Sequence, residues 1–321
     1  MNQGPVEPPL AVVALGGNAM QSPGGDASVA GDFERTAETA GHLVAFAMAG
    51  RRLVVTHGNG PQVGNHLLRS ELGMEQGGLP YLPLDVCVAD TQGGMGYMLQ
   101  QCLSNAFHDA GLPAVVTSLV TQVIVDSNDP AFDEPSKPIG EMISQDKVDA
   151  YRTLGWTLTE DKARGGWRRV VASPDPTEIV EAYAIRTMVA EGVIVVAAGG
   201  GGVPVILDEE GRLAGAPAVV DKDLASALLA TDLKADALLI LTDVERVCLD
   251  FGGPNERPLH RISVDEVSEL QQRGEFPAGS MGPKVEAVRR FVAATGGTGV
   301  ITSIDKCEEA LDGETGTTIT P

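Results

Sequence analysis

The chain has 321 residues, a formal net charge of −21, 43% hydrophobic and 21% charged residues. That is enough chain for one large α/β domain or two small ones, with an ordinary globular composition. The acidic excess disfavours nucleic acid, polyphosphate polymers and anionic membranes as partners, because each of these needs a basic face. Four scattered cysteines, Cys87, Cys102, Cys248 and Cys307, form no CxxC pair, so reduced thiols in a cytoplasmic protein are expected, not a disulfide frame or zinc site.

Residues 1–10 read as a frayed tail with neither the basic n-region nor the apolar run of a signal peptide, and no stretch nears the roughly 18 apolar residues of a membrane span. Ala11–Leu15 is an apolar strand, with a tight turn at Gly16, Gly17 and Asn18. Phe33, Ala37, Ala40, Val44 and Ala47 recur at helical spacing and predict a helix from about Asp32 to Ala49, stopped by Gly50. Leu53–Thr56 is the next strand. After it come His57, Gly58, Asn59 and Gly60, and then Pro61, which suits the first turn of a helix carrying Val63, Leu67 and Leu68. A longer helix from about Asp85 to Ala110 is expected to be interrupted at Gly93, Gly94 and Gly96. Ala114–Thr117 and Thr121–Asp126 are strand candidates. Ser127–Arg169, rich in Asp, Glu, Pro, Lys and Arg, reads as an excursion from the main body, a small subdomain or lid.

Helical periodicity resumes over Glu178–Ala190. Val193–Ala197 has the β-branched pattern of a strand buried on both faces. Gly199, Gly200, Gly201 and Gly202 follow it, leaving backbone N–H groups open to an anion. Asp221, Lys222 and Asp223 then stand at the mouth of a helix over Leu224–Ala230. A flexible turn and an Asp N-cap would explain each half alone, but the two together within one βα region point to a phosphate site. Ala237–Leu241 is a strand ending in Thr242 and Asp243. Ser263–Arg273 is a helix with Ser263 as N-cap and Glu266 at the capping-box position. Gly279–Lys284 opens a helix whose apolar face holds Val285, Val288, Phe291 and Val292, and Gly299–Thr302 and Thr317–Thr320 complete a sheet. Strands and helices alternate, so the class is α/β, with a mostly parallel sheet covered on both faces.

In open α/β sheets ligands sit beyond the carboxyl ends of the strands. Loops at Gly16–Asn18, Gly58–Gly60, Gly199–Gly202, Thr242–Asp243 and Gly279–Lys284 are placed to do this, and two of them have a lysine close by. Basic residues here are mostly Arg, and no lysine precedes Lys137, so Lys222 and Lys284 mark places where a compact ammonium is wanted. The pattern suits a long anionic ligand such as a nucleoside triphosphate with its acceptor. There is no GxxxxGK[ST], GxSxG or HExxH motif. Gly58-x-Gly60-x-x-x-Gly64 imitates a dinucleotide fingerprint, but the acidic residue expected at the end of a following strand is missing. Asp126, Asp129, Asp133 and Glu134 lack EF-hand spacing and read as a solvated acidic loop. His57 reads as a turn residue bonded to backbone. Left-handed backbone geometry alone would explain Asn18 and Asn59, and an amide bound to a carboxylate-like substrate would explain them equally.

Taken together, ALGGNA (14–19), THGNGPQVG (56–64), PLDV (83–86), KPIG (137–140), VVASP (170–174), GGGGVPVI (199–206), DKDLAS (221–226), LTDV (241–244) and GSM-x-PKVEA (279–287) resemble the carbamate kinases of the amino acid kinase family. The resemblance covers nearly the whole chain. It implies a single domain over 1–321: a three-layer αβα sandwich on a mainly parallel open sheet, with a protruding subdomain at 127–169. The N-terminal half would hold the acceptor site and about 192–321 the nucleotide site, in a cytoplasmic homodimer. The implied reaction is reversible phosphoryl transfer between carbamoyl phosphate plus ADP and carbamate plus ATP, with Mg²⁺ on the nucleotide and a place in arginine metabolism. By the same resemblance Lys222 and Lys284 neutralise the migrating phosphoryl, Asp223 organises them, and Lys137 enters the site from the subdomain. Gly16, Gly17, Asn18, Gly58, Asn59, Gly60, Gly199, Gly200 and Gly201 would hold acceptor and phosphoryl. Asp221, Thr242, Asp243, Val247, Gly279, Met281 and Pro283 would flank the nucleotide. The chain departs from the family's usual residues at Asp90, Glu141, Gly282 and Cys248, and the two extra carboxylates would be unfavourable beside an anionic substrate. A kinase of another small carboxylate or carbamate, and a non-catalytic nucleotide-binding regulator, are the alternatives.

Overall fold

The computed structural model describes residues 7–21, 28–161, 165–277 and 280–321, with only the backbone of Asn18. Most of the expected N-terminal tail and Gly279 lie outside the described residues. The main sheet contains β1 (Leu10–Leu15), β2 (Arg52–His57), β3 (Val115–Ser118), β4 (Val193–Val196), β5 (Ala237–Thr242), β6 (Arg261–Ser263), β7 (Thr298–Ser303) and β8 (Thr317–Thr320). Their order across the sheet is β6-β8-β7-β5-β1-β2-β4-β3. All neighbours are parallel except β7 and β8.

β1 shows why the sheet is covered twice. Leu10, Val12 and Ala14 face one core, and Ala11, Val13 and Leu15 face the other. On the first face lie the helices Ala182–Ala190, Lys222–Asp232 and Met281–Thr295, the last burying Val285, Val288, Phe291 and Val292. On the second lie Val29–Met48 and Leu84–Asp109, through residues such as Leu43, Phe46, Leu99 and Leu103. Each fully buried side chain of this size contributes about 1.5–3 kcal/mol. The layers are those of the expected αβα sandwich.

Several boundaries differ from the sequence reading. The first long helix begins at Val29, because the Ser28 hydroxyl accepts the Gly31 N–H at 3.2 Å and caps it there. Leu84–Asp109 is one uninterrupted helix. Gly96 answers a packing need, since a Cβ there would sit 2.0 Å from the Ser118 hydroxyl on β3, whereas a Cβ at Gly93 or Gly94 would meet open space. The helix expected from Glu178 begins at Ala182, because Pro176–Ile179 is a strand paired antiparallel with Gln122–Val125. The Glu181 carboxylate accepts the Gln122 backbone and side-chain N–H groups at 2.7 and 2.9 Å, which fixes that corner. Those two strands join Val203–Leu207 and Leu213–Gly215 in a second sheet. The capping box forms as expected, Ser263 accepting Glu266 N–H at 3.2 Å and Glu266 accepting Ser263 N–H at 2.7 Å.

The stretch after Ser127 supplies a third, three-stranded sheet, with Lys137–Ile143 and Leu158–Asp161 flanking Gly166–Val171. Its first strand lies against the helix Gly60–Gly77, and glycine on both sides makes this possible: a Cβ on Gly64 would lie 2.2 Å from Gly140. Trp156 is sandwiched between Tyr151, at 4.3 Å, and the Arg169 guanidinium, at 4.1 Å. The acids in this stretch cap turns. Asp129 accepts the Ala131 and Asp175 N–H groups, and Asp126 accepts Asn128 N–H. Among the described residues no His, Cys, Asp and Glu side chains group as a metal site, and no helix is long and apolar enough to cross a membrane.

Candidate active site

Along the chain, strands are added on one side of β1 and then on the other, so the sheet changes direction between β1 and β5. Register keeps the carboxyl ends level: Leu15 pairs with His57 on one side and Leu241 on the other. Gly16 N–H donates to Leu241 C=O at 3.0 Å, and Gly58 N–H donates to Leu15 C=O at 3.3 Å. The loops starting at Gly16, Gly58 and Thr242 therefore emerge side by side, where open α/β sheets bind ligands.

A helix starts beside them. Asp221 Oδ1 accepts the N–H groups of Asp223 and Leu224 at 2.9 and 3.4 Å, so Asp221 is the N-cap and Lys222 the first helical residue. Ser226 Oγ donates back to Lys222 C=O at 2.5 Å and accepts the Thr56 hydroxyl at 2.6 Å, which ties this first turn to β2. Asp223 is only 3% exposed. Its two oxygens take one lysine each: Lys222 Nζ at 2.5 Å, and Lys284 Nζ, from the first turn of the helix Met281–Thr295, at 2.9 Å. The remaining Asp221 oxygen accepts the Lys137 ammonium, brought by the third sheet. Three ammonium groups thus alternate with two carboxylates.

The charges are set against burial. Burial alone would raise the Asp223 carboxyl, but the Lys222 and Lys284 ammonium groups outweigh it and hold Asp223 well below the usual carboxylate range. For Lys222 burial wins and pushes the amine down, against Asp223 and with help from the Lys284 charge. For Lys284 burial is outweighed by Asp223, so its affinity for the proton is raised. Three ammonium groups against two carboxylates give the cluster one net positive charge beside the level loops, which favours an anion there.

The glycine loops close around this cluster. Gly58 lies against the Lys222 stem, where a Cβ would be 3.2 Å from Cδ. Gly199, Gly200 and Gly201 form one tight turn after β4, with Gly200 at φ +66 and its Cβ direction only 2.2 Å from the Asn59 amide. Asn59 is buried, has φ −145 and donates from Nδ2 to the Thr91 hydroxyl at 2.8 Å. Left-handed geometry is therefore not the reason for an asparagine there. His57 Nδ1 lies 3.0 Å from Gly58 C=O. Burial, opposed by that hydrogen bond and reinforced by Lys222, takes its pKa down to about 4, so His57 is neutral.

Two cavities adjoin the cluster. The larger, about 900 Å³, is lined by Lys137, Asp221, Gly282 and Pro283, and also by Arg168, Ser173, Gln271 and Glu286, which the sequence reading did not select. The smaller, about 260 Å³, holds Gly16, Thr242 and Asp243 together with the unselected Arg35 and Asp305. Asp243 is close enough for its charge to raise the Lys284 pKa. The Val247 side chain is fully buried and its N–H donates to Thr317 at 2.9 Å, while Met281 packs on the core beside the first turn. Gly17 is exposed. Asp90 and Glu141 line two other cavities, Asp90 beside His66 at 3.9 Å and Glu141 near Lys147. The unselected lining residues lacked any local motif; Arg168 comes from the third sheet and Glu286 from the helix Met281–Thr295, and the two meet only as walls of one cavity.

Comparison with known proteins follows the same lines. The profile of the amino acid kinase family matches residues 9–303. A carbamate kinase of Pyrococcus furiosus is 45% identical over 311 residues, covering 97% of this chain and 98% of that protein. The carbamate kinase-like protein YahI of Escherichia coli is 44% identical over 312 residues, covering 97% and 98%. Among solved structures, carbamate kinase from Giardia lamblia bound to citric acid superimposes with TM-score 0.92 at 40% identity, covering 98% of each chain. The same enzyme bound to AMP-PNP gives 0.89 at 39% identity, again covering 98% of each.

Proposed function

This chain belongs to the amino acid kinase family, and on that premise we propose that it is a carbamate kinase. It transfers a phosphoryl group reversibly between carbamoyl phosphate plus ADP and carbamate plus ATP. The observation that carries the reading is the pair of ammonium groups, Lys222 and Lys284, held on the two oxygens of one buried carboxylate beside the level loops.

In the ATP-forming direction a terminal ADP oxygen attacks phosphorus, the bond to the carbamoyl oxygen breaks, and that electron pair leaves as carbamate. Such transfer needs positioning and charge on the equatorial oxygens, with no protein nucleophile. Lys222 and Lys284 supply the charge, and Asp223 keeps both in place. The backbone at Gly16, Gly17, Asn18, Gly58–Gly60 and Gly199–Gly201 cradles the anionic groups in the N-terminal half. Asp221, Thr242, Asp243, Val247, Gly279, Met281 and Pro283 flank the nucleotide in the C-terminal half. Residues 127–169 act as a subdomain that brings Lys137 to the reacting phosphate. Asp221 and Asp223 are already engaged by lysines, so magnesium is best held by nucleotide phosphates and water and arrives with its substrate. A cytoplasmic homodimer acting in arginine metabolism completes the reading.

The test is a coupled assay for ATP made from ADP and carbamoyl phosphate, with and without magnesium, alongside a panel of other small carboxylates as phosphate acceptors from ATP. Magnesium-dependent ATP formation is expected. Turnover with another acid and none with carbamoyl phosphate would replace the substrate, and nucleotide binding with no exchange would remove the enzyme.

A further inference from the structure

Asp221 stands where two structural units meet. Lys137 pairs with Val171 in the third sheet, the next residue, Ala172, forms a parallel bridge with Ala218, and Val219 N–H donates to Ala172 C=O at 3.0 Å. That bridge lies three residues before Asp221. The backbone thus brings the edge of the third sheet alongside the start of the helix Lys222–Asp232, and the Lys137–Asp221 ion pair closes the junction between side chains. The Asp221 side chain is 14% exposed, and its two oxygens have separate tasks: Oδ1 caps the helix and Oδ2 accepts Lys137.

We propose that Asp221 is a positioning residue that acts through Lys137. One carboxylate fixes both the helix start that presents Lys222 and Asp223 and the ammonium delivered by the third sheet, so a single side chain sets the third cation relative to the other two. It also sets the charge of the site: with Asp221 the five groups sum to +1, and without its charge they sum to +2. The inference rests on the proposed phosphoryl transfer and deepens it, since flanking the nucleotide does not by itself require a bond to Lys137.

Asp221→Asn separates the two tasks. Asparagine caps helices as well as aspartate does, but with its one oxygen on the helix N–H groups its NH₂ donor is left facing Lys137 and cannot accept the ammonium. Asp221→Ser is the second variant, a good cap too short to reach Lys137. Turnover and both KM values are measured for these, for Lys137→Met and for the double variant Asp221→Asn/Lys137→Met, with thermal midpoints to verify folding. Lys137→Met is expected to lose about 10²-fold in kcat, the scale for one preorganised donor. Each Asp221 variant should lose at least about tenfold without a rise in KM, because the site becomes more positive. The double variant should be no slower than Lys137→Met alone. Normal turnover by Lys137→Met removes Lys137 from the proposed function. A slow Lys137→Met beside a normal Asp221→Asn leaves that function standing and overturns the positioning role. Multiplying losses in the double variant, or failure of both capping variants to fold, likewise overturns it.

Discussion

Asp223→Asn tests the electrostatic account of the site most directly. The substitution keeps the volume and removes the charge from a group that is 3% exposed and lies 2.5 and 2.9 Å from two ammonium nitrogens. Breaking one buried ion pair costs about 3–5 kcal/mol, because the abandoned charge stays buried. Here two lysines are abandoned, with side chains 12% and 16% exposed, which argues for the upper part of that range. One relief is available. Burial and Lys284 already push the Lys222 amine down, and without Asp223 it falls further, so the neutral amine is reached more cheaply and the loss is limited. Against a total stability of about 5–15 kcal/mol, the variant folds at room temperature with little margin.

The sign of the pH dependence follows. Between the lowered folded pKa of Lys222 and its ordinary unfolded value, the unfolded chain binds more protons, so stability rises with pH across that window. In the intact protein the lowered Lys222 and the raised Lys284 contribute slopes of opposite sign. In Asp223→Asn both amines are lowered and the slopes add. Urea titrations of both proteins at pH 7 and pH 9.5 measure this directly. The expected result is a gap of about 3–5 kcal/mol at pH 7 that narrows at pH 9.5. A gap under about 1 kcal/mol, within the range of exposed pairs, or one that widens with pH, would refute the reasoning.

Three further outcomes follow from the same geometry. Lys222→Ala leaves Lys284 on Asp223, so the protein is expected to fold while kcat falls about 10²–10³-fold, read by steady-state kinetics beside a thermal melt. His57 is held neutral to about pH 4 in the fold against an ordinary 6.5; its contribution is therefore intact above pH 6.5 and lost as pH falls towards 4. At about 1.4 kcal/mol per unit this amounts to roughly 3 kcal/mol, and on acid titration His57→Gln should lose less stability than the intact protein across that window, by about this total. Gly200→Ala places a Cβ at φ +66 and 2.2 Å from the Asn59 amide. Denaturant unfolding should show a loss of about 2–4 kcal/mol from backbone strain and overpacking together, with turnover falling as Asn59 is displaced.

Signals within a few residues were readable from the chain alone. Ser263 and Glu266 announced their capping box, and the aspartate before Lys222 announced a helix start, because both bonds close within three residues. Pairings made at a distance were not. Glu178 and Ile179 read as the start of a helix because their partner strand lies some fifty residues earlier in the chain, where no window of local periodicity reaches it. Gly93, Gly94 and Gly96 read as breaks because glycine weakens helices, and the close approach of Ser118 that calls for Gly96 is tertiary. The lysines were legible as rare residues beside glycine-bearing loops. That Lys222 and Lys284 share one carboxylate, and that Lys137 goes to Asp221 instead, depends on side chains 61 and 84 residues apart in sequence. The cavity walls from Arg168 and Glu286 had no motif at all.

The central position of β1 has a consequence for how the protein is made. This strand comes earliest in the chain of the described strands, yet one of its two neighbours is β5, and the Leu10 N–H is secured by Asp236, 226 residues later. At a synthesis rate of about 5–20 residues per second, the growing chain spends roughly 10–45 s with one flank of a wholly apolar strand unpaired. An open apolar edge of this kind is where chains stick to one another. Shielding that flank during the interval is therefore expected to raise the yield of active protein.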